Sequence, residues 1–142
     1  SGMKFLFLRD FGMQTAPDES AQAALSALPI EELVLSHNSF GVRDRKVCRA
    51  IAAMPNLRSL TIAVESLEDM SAAELGLCPK LEFLDLHFTS VTDALLPSLS
   101  SLTKLTDLNV FGTKITNEGA KEFAKSHPKC RIAAKGWVIS PK

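Results

Sequence analysis

Three things are missing from this sequence: an excess of charge, a long apolar run and a paired-cysteine motif. Sixteen Lys and Arg balance sixteen Asp and Glu. The chain therefore lacks the basic footprint that a general affinity for nucleic acid or an anionic membrane requires. No apolar stretch reaches the ~18 residues of a membrane span. Phe5-Leu6-Phe7-Leu8 is too short for the core of a signal peptide, and no cleavage-like site follows it. The cysteines, Cys48, Cys78 and Cys130, are odd in number and show no CxxC spacing. They make a poor disulfide framework and a poor zinc site. They read as reduced thiols of an intracellular, cytoplasmic protein.

Catalytic signatures are missing too. A nucleophile, a base and an orienting group must lie close together. There is no GxSxG, no glycine-rich phosphate loop and no HExxH. Asp85 and His87 share one strand face as an acid–base pair, yet no motif sets a nucleophile beside them. His37 and His87 lie two strands apart and supply two metal ligands without a third or fourth. The chain thus reads as non-enzymatic, with no catalytic residue, no metal and no cofactor. Arg43-Asp44-Arg45-Lys46 reads as a solvated helix start.

What is present is a repeat. In Leu81-Glu82-Phe83-Leu84-Asp85-Leu86-His87-Phe88-Thr89-Ser90-Val91, apolar residues fall at positions 1, 4, 6 and 11, with Thr at 9. Leu105, Leu108, Val110, Thr113 and Ile115 repeat that spacing. So do Ile30, Leu33, Leu35, Asn38 and Phe40. Leu57, Leu60, Ile62 and Leu67 follow it with Glu65 in the ninth slot, and Met3, Leu6, Leu8 and Met13 with Phe11 there. Copies start at 3, 30, 57, 81 and 105, and a degenerate sixth starts at Cys130. Positions 4 and 6 alternate along a short strand, so both point to one side and stack into a buried ladder. Asp44–Met54 and Asn117–Ser126 carry helical apolar faces: Val47, Ile51 and Met54 in one, Ala120, Phe123 and Ala124 in the other. Thr92-Asp93 and Thr116-Asn117 supply capping side chains at helix starts, and Pro17-Asp18-Glu19 opens the first helix. Pro97 shortens another helix, and Glu68–Leu77 is about one turn. Ser1-Gly2 reads as an expression scar, with Met3 the native start. Residues 3–129 hold five repeats, and 130–142 a degenerate repeat and C-terminal cap in which Trp137, Val138 and Ile139 fold over the last copy.

This pattern resembles the leucine-rich repeat family, whose consensus is LxxLxLxxN/CxL. The resemblance covers roughly residues 3–132. It implies an α/β, right-handed solenoid with short parallel strands on the concave face and helices or turns on the convex face. Val91-Thr92-Asp93, Ile115-Thr116-Asn117-Glu118-Gly119 and Cys78-Pro79-Lys80-Leu81 are similar to segments of cysteine-containing repeats, which occur in the substrate-reading part of F-box proteins. Gly112-Thr113-Lys114-Ile115-Thr116 is also similar to bacterial repeat proteins.

If positions 4 and 6 point inward, positions 3, 5 and 7 form the concave surface and position 8 its rim. That places Phe5, Phe7, Val34, Thr61, Phe83, Asp85, His87, Phe88, Asn109 and Phe111 on the candidate binding face. Exposed aromatics within a polar surround mark interaction sites. The expected partner is another protein or peptide, not nucleic acid and not a membrane. Two alternatives stand beside this one. The first is a structural or self-assembling subunit, a homo-oligomer joined through the open N-terminal edge strand at Phe5–Leu8. The second is the substrate-recognition part of a larger, ubiquitin-ligase-like complex. Cys78 sits in a slot that Met54, Leu102 and His127 fill in other copies, so it reads as core filler, as does Cys130.

Overall fold

The computed structural model describes residues 4–9, 19–36 and 40–142. Seven described strands form one sheet in chain order: β1 (Phe5–Arg9), β2 (Glu32–Ser36), β3 (Ser59–Ala63), β4 (Phe83–Asp85), β5 (Asp107–Asn109), β6 (Arg131–Ala134) and β7 (Trp137–Ile139). β1 to β6 are parallel neighbours, and β7 returns antiparallel to β6. Parallel neighbours need a crossover between each pair. Helices and 3-10 turns provide it: α1 (Glu19–Ser26), α2 (Arg45–Ala52), α3 (Asp69–Ala72), α4 (Leu96–Leu99) and α5 (Asn117–Ser126).

Strand alternation builds the core. Leu6, Leu33, Leu60, Leu84, Leu108 and Ile132 stand in register across six strands. All but Leu6 are buried, and Leu6 packs against the same cluster. Leu35, Ile62, Leu86 and Val110 form a second buried row. One repeat cannot enclose these rows alone, so each copy depends on its neighbours.

The helical side closes the core by the expected residues. Val47 and Ile51 of α2 are buried together with Met54. Asp44 caps α2 by accepting from the Lys46 backbone N–H at 2.8 Å. Thr116 caps α5 by accepting from the Gly119 N–H at 3.0 Å. Pro97 lies in the first turn of the four-residue α4, which follows a 3-10 turn at Asp93–Leu95. Residues 68–77 hold the four-residue α3 and a 3-10 turn, Ala73–Leu77. The described part of the first helix begins at Glu19; Pro17, Phe11, Met13, His37 and Asn38 lie outside the described residues.

Polar clamps join successive copies. Asp69 accepts from the Thr92 N–H (2.7 Å) and Thr92 Oγ1 (2.6 Å). One repeat on, Asp93 holds Thr116 in the same way at 2.8 and 2.6 Å. Gly119 makes room for that clamp, since a Cβ there would sit 2.4 Å from the Asp93 carboxyl carbon. Nearer the N-terminus, the buried Glu74 receives Arg45 and Arg49 of α2 at 2.7 and 3.1 Å. These guanidinium hydrogen bonds hold the Glu74 carboxyl below its ordinary pKa.

Two expectations change. The sixth copy, counted from Cys130, is one residue short: Ile132, not Ala133, pairs with Leu108. Cys130 remains buried, so the missing residue is taken up between it and the strand. Position 8 is not always a rim position either. Val64 is buried, because the turn that ends this copy runs from the Val64 carbonyl to the Leu67 N–H (3.0 Å). In the next two copies the turn closes at Leu86–Thr89 and Val110–Thr113 instead. There the Thr hydroxyls donate to the same carbonyls at 2.7 and 2.8 Å.

Candidate recognition face

The side of the sheet opposite the helices carries the residues named from the sequence. Register aligns Phe5, Glu32, Ser59, Phe83 and Asp107 in one row, and Phe7, Val34, Thr61, Asp85 and Asn109 in the next. Phe83 and Phe111 are exposed, as are Phe5 and Phe7, while Val34, Thr61, Asp85, His87 and Asn109 are partly covered by neighbours. The aromatics form two groups. Phe5 and Phe7 stand on β1; Phe83 stands on β4, three strands and ~14 Å away, and Phe88 and Phe111 lie in the turns that follow β4 and β5.

The second group is a built cluster. Phe88 meets Phe111 edge-to-face with centroids 5.5 Å apart at 87°, and His87 meets Phe88 at 5.5 Å and 72°. Such contacts contribute ~0.5–1.5 kcal/mol beyond area burial. Asp85 orients His87 by accepting from its Nδ1 at 2.7 Å and its backbone N–H at 2.9 Å. Asn109 supports the turn of the next copy by accepting from the Phe111 N–H at 3.1 Å. Phe88 is 58% exposed despite these neighbours.

Backbone conformation explains that exposure. Phe88 has φ 57°, the one positive φ among the described non-glycine residues. A bulky residue seldom adopts this left-handed region, and doing so costs ~1–2 kcal/mol. The ladder enforces it: the Leu86 N–H donates to Asn109 O (2.9 Å) and the Phe88 N–H to Phe111 O (2.8 Å). Gly112, at the same repeat position one strand over, has φ 73°. Its missing Cβ would lie 2.4 Å from Phe88 Cδ1, so the glycine is the seat of the phenyl ring. Sequence reasoning placed Phe88 on the rim but missed Gly112 as its support. The signal was the pairing of a bulky and an empty residue in one repeat slot. Beside the ring runs a groove of about 520 Å³, edged by Glu65, Ser90 and Lys114.

The remaining candidates are structural. Cys48, Cys78 and Cys130 are unpaired and buried. Burial pushes the Cys48 and Cys130 thiols up to about 12, aided by nearby carboxylates, and raises Cys78 as well. Thiolate, the reactive form, is thereby suppressed. His127 ends α5 stacked on Phe123, centroids 4.1 Å apart. Among the described residues, no group of three or more His, Cys, Asp or Glu is placed to hold a metal ion. No described helix is long and apolar enough to cross a membrane.

Comparison with known proteins agrees with this architecture. The sequence model described as Leucine Rich repeat matches residues 101–124. The chain is also 31% identical over 118 residues to the monocyte differentiation antigen CD14 of Bos taurus, across 83% of its own length. It belongs to the leucine-rich repeat family. This repeat protein spans about 30% of the length of that curated relative. Leucine-rich repeat domains serve in general as protein-interaction modules.

Proposed function

We propose that this repeat protein is a non-enzymatic recognition module, and that it binds a protein or peptide across the outer face of its sheet. The observation that carries this reading is the exposure of Phe83, Phe88 and Phe111 between polar neighbours, with Phe88 and Phe111 in edge-to-face contact. Aromatic anchors within a polar rim dominate binding energy at interfaces. The rigid sheet supports the reading too, since a preformed surface loses little ordering entropy on binding. His87 and Asp85 form a pair, but their hydrogen bonds orient a recognition surface without placing a nucleophile. Three buried, unpaired thiols support an intracellular location.

The test is affinity capture from native lysate with wild type and a Phe83→Ala/Phe111→Ala double variant, both shown to be folded. A partner kept by wild type and lost by the variant is the expected result. Equal retention by both would move the site off this face.

A second reading rests on β1, where Phe5 and Phe7 are 49% and 51% exposed at one end of the sheet order. An apolar edge strand presents unpaired backbone groups to a second copy. Elution volume with and without Phe7→Lys separates the two readings: a dimer lost in the variant favours assembly, and a monomer in both returns the function to the sheet face.

A further inference from the structure

Charge is not spread evenly over this protein. The solvent-facing positions of β2 to β5 carry Glu32, Asp85 and Asp107 and none of the chain's sixteen Lys and Arg. The outward positions of these four strands therefore sum to −3, and Arg131, in register with Asp107 on β6, makes the sum −2 over β2 to β6. The rim groove adds Glu65 and Lys114, which offset each other. Arg131 on β6 stands opposite Asp107 and bounds the acidic area on that side.

The acidic area adjoins the one exposed aromatic that the backbone is strained to present. Asp85 ends β4 three residues before Phe88, which lies in the turn that follows. One carboxylate oxygen of Asp85 takes both bonds to His87; the other has no hydrogen-bond partner among the described residues, and 14% of the side chain's surface stays exposed.

We infer that Phe88 and Phe111 form the anchor subsite for a cationic segment of a partner protein, which carries a bulky apolar side chain with Lys or Arg two or three residues away. The apolar side chain packs on the phenyl rings, and the cations lie over Asp85 and Asp107. A cation beside these rings also gains from their quadrupoles. Nucleic acid and acidic peptides are repelled by the same carboxylates. This inference rests on the recognition reading above and assigns it a partner chemistry.

Selection from a displayed library of random peptides, followed by fluorescence polarisation with the most enriched peptide, tests it. Enriched sequences should pair a large apolar residue with nearby Lys or Arg. Phe88→Gly should weaken that peptide about tenfold, and Asp85→Asn/Asp107→Asn should weaken it and flatten its salt dependence. Thermal melts of each variant establish that it is folded. Enrichment of acidic or uncharged sequences, no enrichment, or affinity indifferent to these variants would overturn the inference. The broader reading fails separately. If a lysate partner is lost by Phe83→Ala/Phe111→Ala yet kept by Phe88→Gly and by the Asp variants, the sheet face still binds and only the anchor assignment falls. If every variant keeps it, both fall.

Discussion

β3 and β4 are neighbours in one sheet, and they part company at their ends. β3 runs for five residues and its turn closes at Val64, which is buried. β4 runs for three, and its turn closes at Leu86, with Thr89 tying the backbone. The early closure swings position 8 into the left-handed region and outward, so Phe88 meets solvent where Val64 meets the core. The stitching differs as well. A buried Glu74 held by two arginines links the earlier copies, whereas repeated Asp–Thr clamps link the later ones. One ladder thus carries two kinds of turn, and the candidate site belongs to the kind that closes earlier in the repeat.

The core ladder should not distinguish the two regions. Leu60 and Leu84 are both fully buried in the same row. Replacing either with Ala removes apolar contacts and leaves a cavity, at a cost of about 2–5 kcal/mol. Urea midpoints for Leu60→Ala and Leu84→Ala should fall by similar amounts. A much smaller drop for Leu84→Ala would break the equivalence and mark the later copies as loosely packed.

Contacts between copies should come next. A Cβ on Gly76 would lie 2.0 Å from the Ser98 carbonyl oxygen, so two backbones must move apart. Gly76→Ala is expected to cost about 1–3 kcal/mol. Gly136 is the control. It has φ 86° in the turn between β6 and β7, and a Cβ there meets nothing within 4 Å. Gly136→Ala therefore suffers only backbone strain, about 1 kcal/mol. If the two variants melt alike, the close approach at Gly76 is not limiting.

These differences also explain what the sequence made legible. The ladder was readable because alternation and stacking depend on apolar spacing alone: starts at 30, 57, 81 and 105 match the pairing of Leu33, Leu60, Leu84 and Leu108. The cap at Thr116 was readable as local side-chain chemistry. The shortened sixth copy was not, because the buried Cys130 occupies the expected first slot while the strand register shifts beyond it. Val64 was misplaced because position 8 is decided by where the turn closes, a backbone property that Glu65 does not announce. The sequence marked the Phe83–Phe88–Phe111 group as outward, but the ring seat on Gly112 depends on two copies meeting.

Acid should loosen the stitching at Glu74. Glu74 has a folded pKa below its ordinary value, so it binds protons less readily folded than unfolded. Its contribution is complete above the ordinary carboxylate range and disappears as pH falls through the lowered folded value. Glu74→Gln should cost about 1–2 kcal/mol at neutral pH, moderated by the exposure of both arginines. In acid the variant and wild type should converge in urea midpoint. A gap that persists there would assign the loss to packing instead of charge.

The smallest effect on stability is expected where the effect on binding is largest. Phe88→Gly removes edge contacts with Phe111 and His87 and adds the backbone freedom of glycine, which together destabilise by about 1–2 kcal/mol. It also releases a left-handed strain of about 1–2 kcal/mol. Because more than half of the ring's surface already faces water, little apolar burial is lost. These effects offset, so its melting temperature should stay within a few degrees of wild type. Gly112 already shows that the slot accepts glycine at φ 73°. A large fall in stability would mean that Phe88 is a packing residue turned partly outward. Unchanged or increased stability, with binding lost, would mean that the early turn after β4 holds a phenyl ring in a conformation that folding does not require but recognition does.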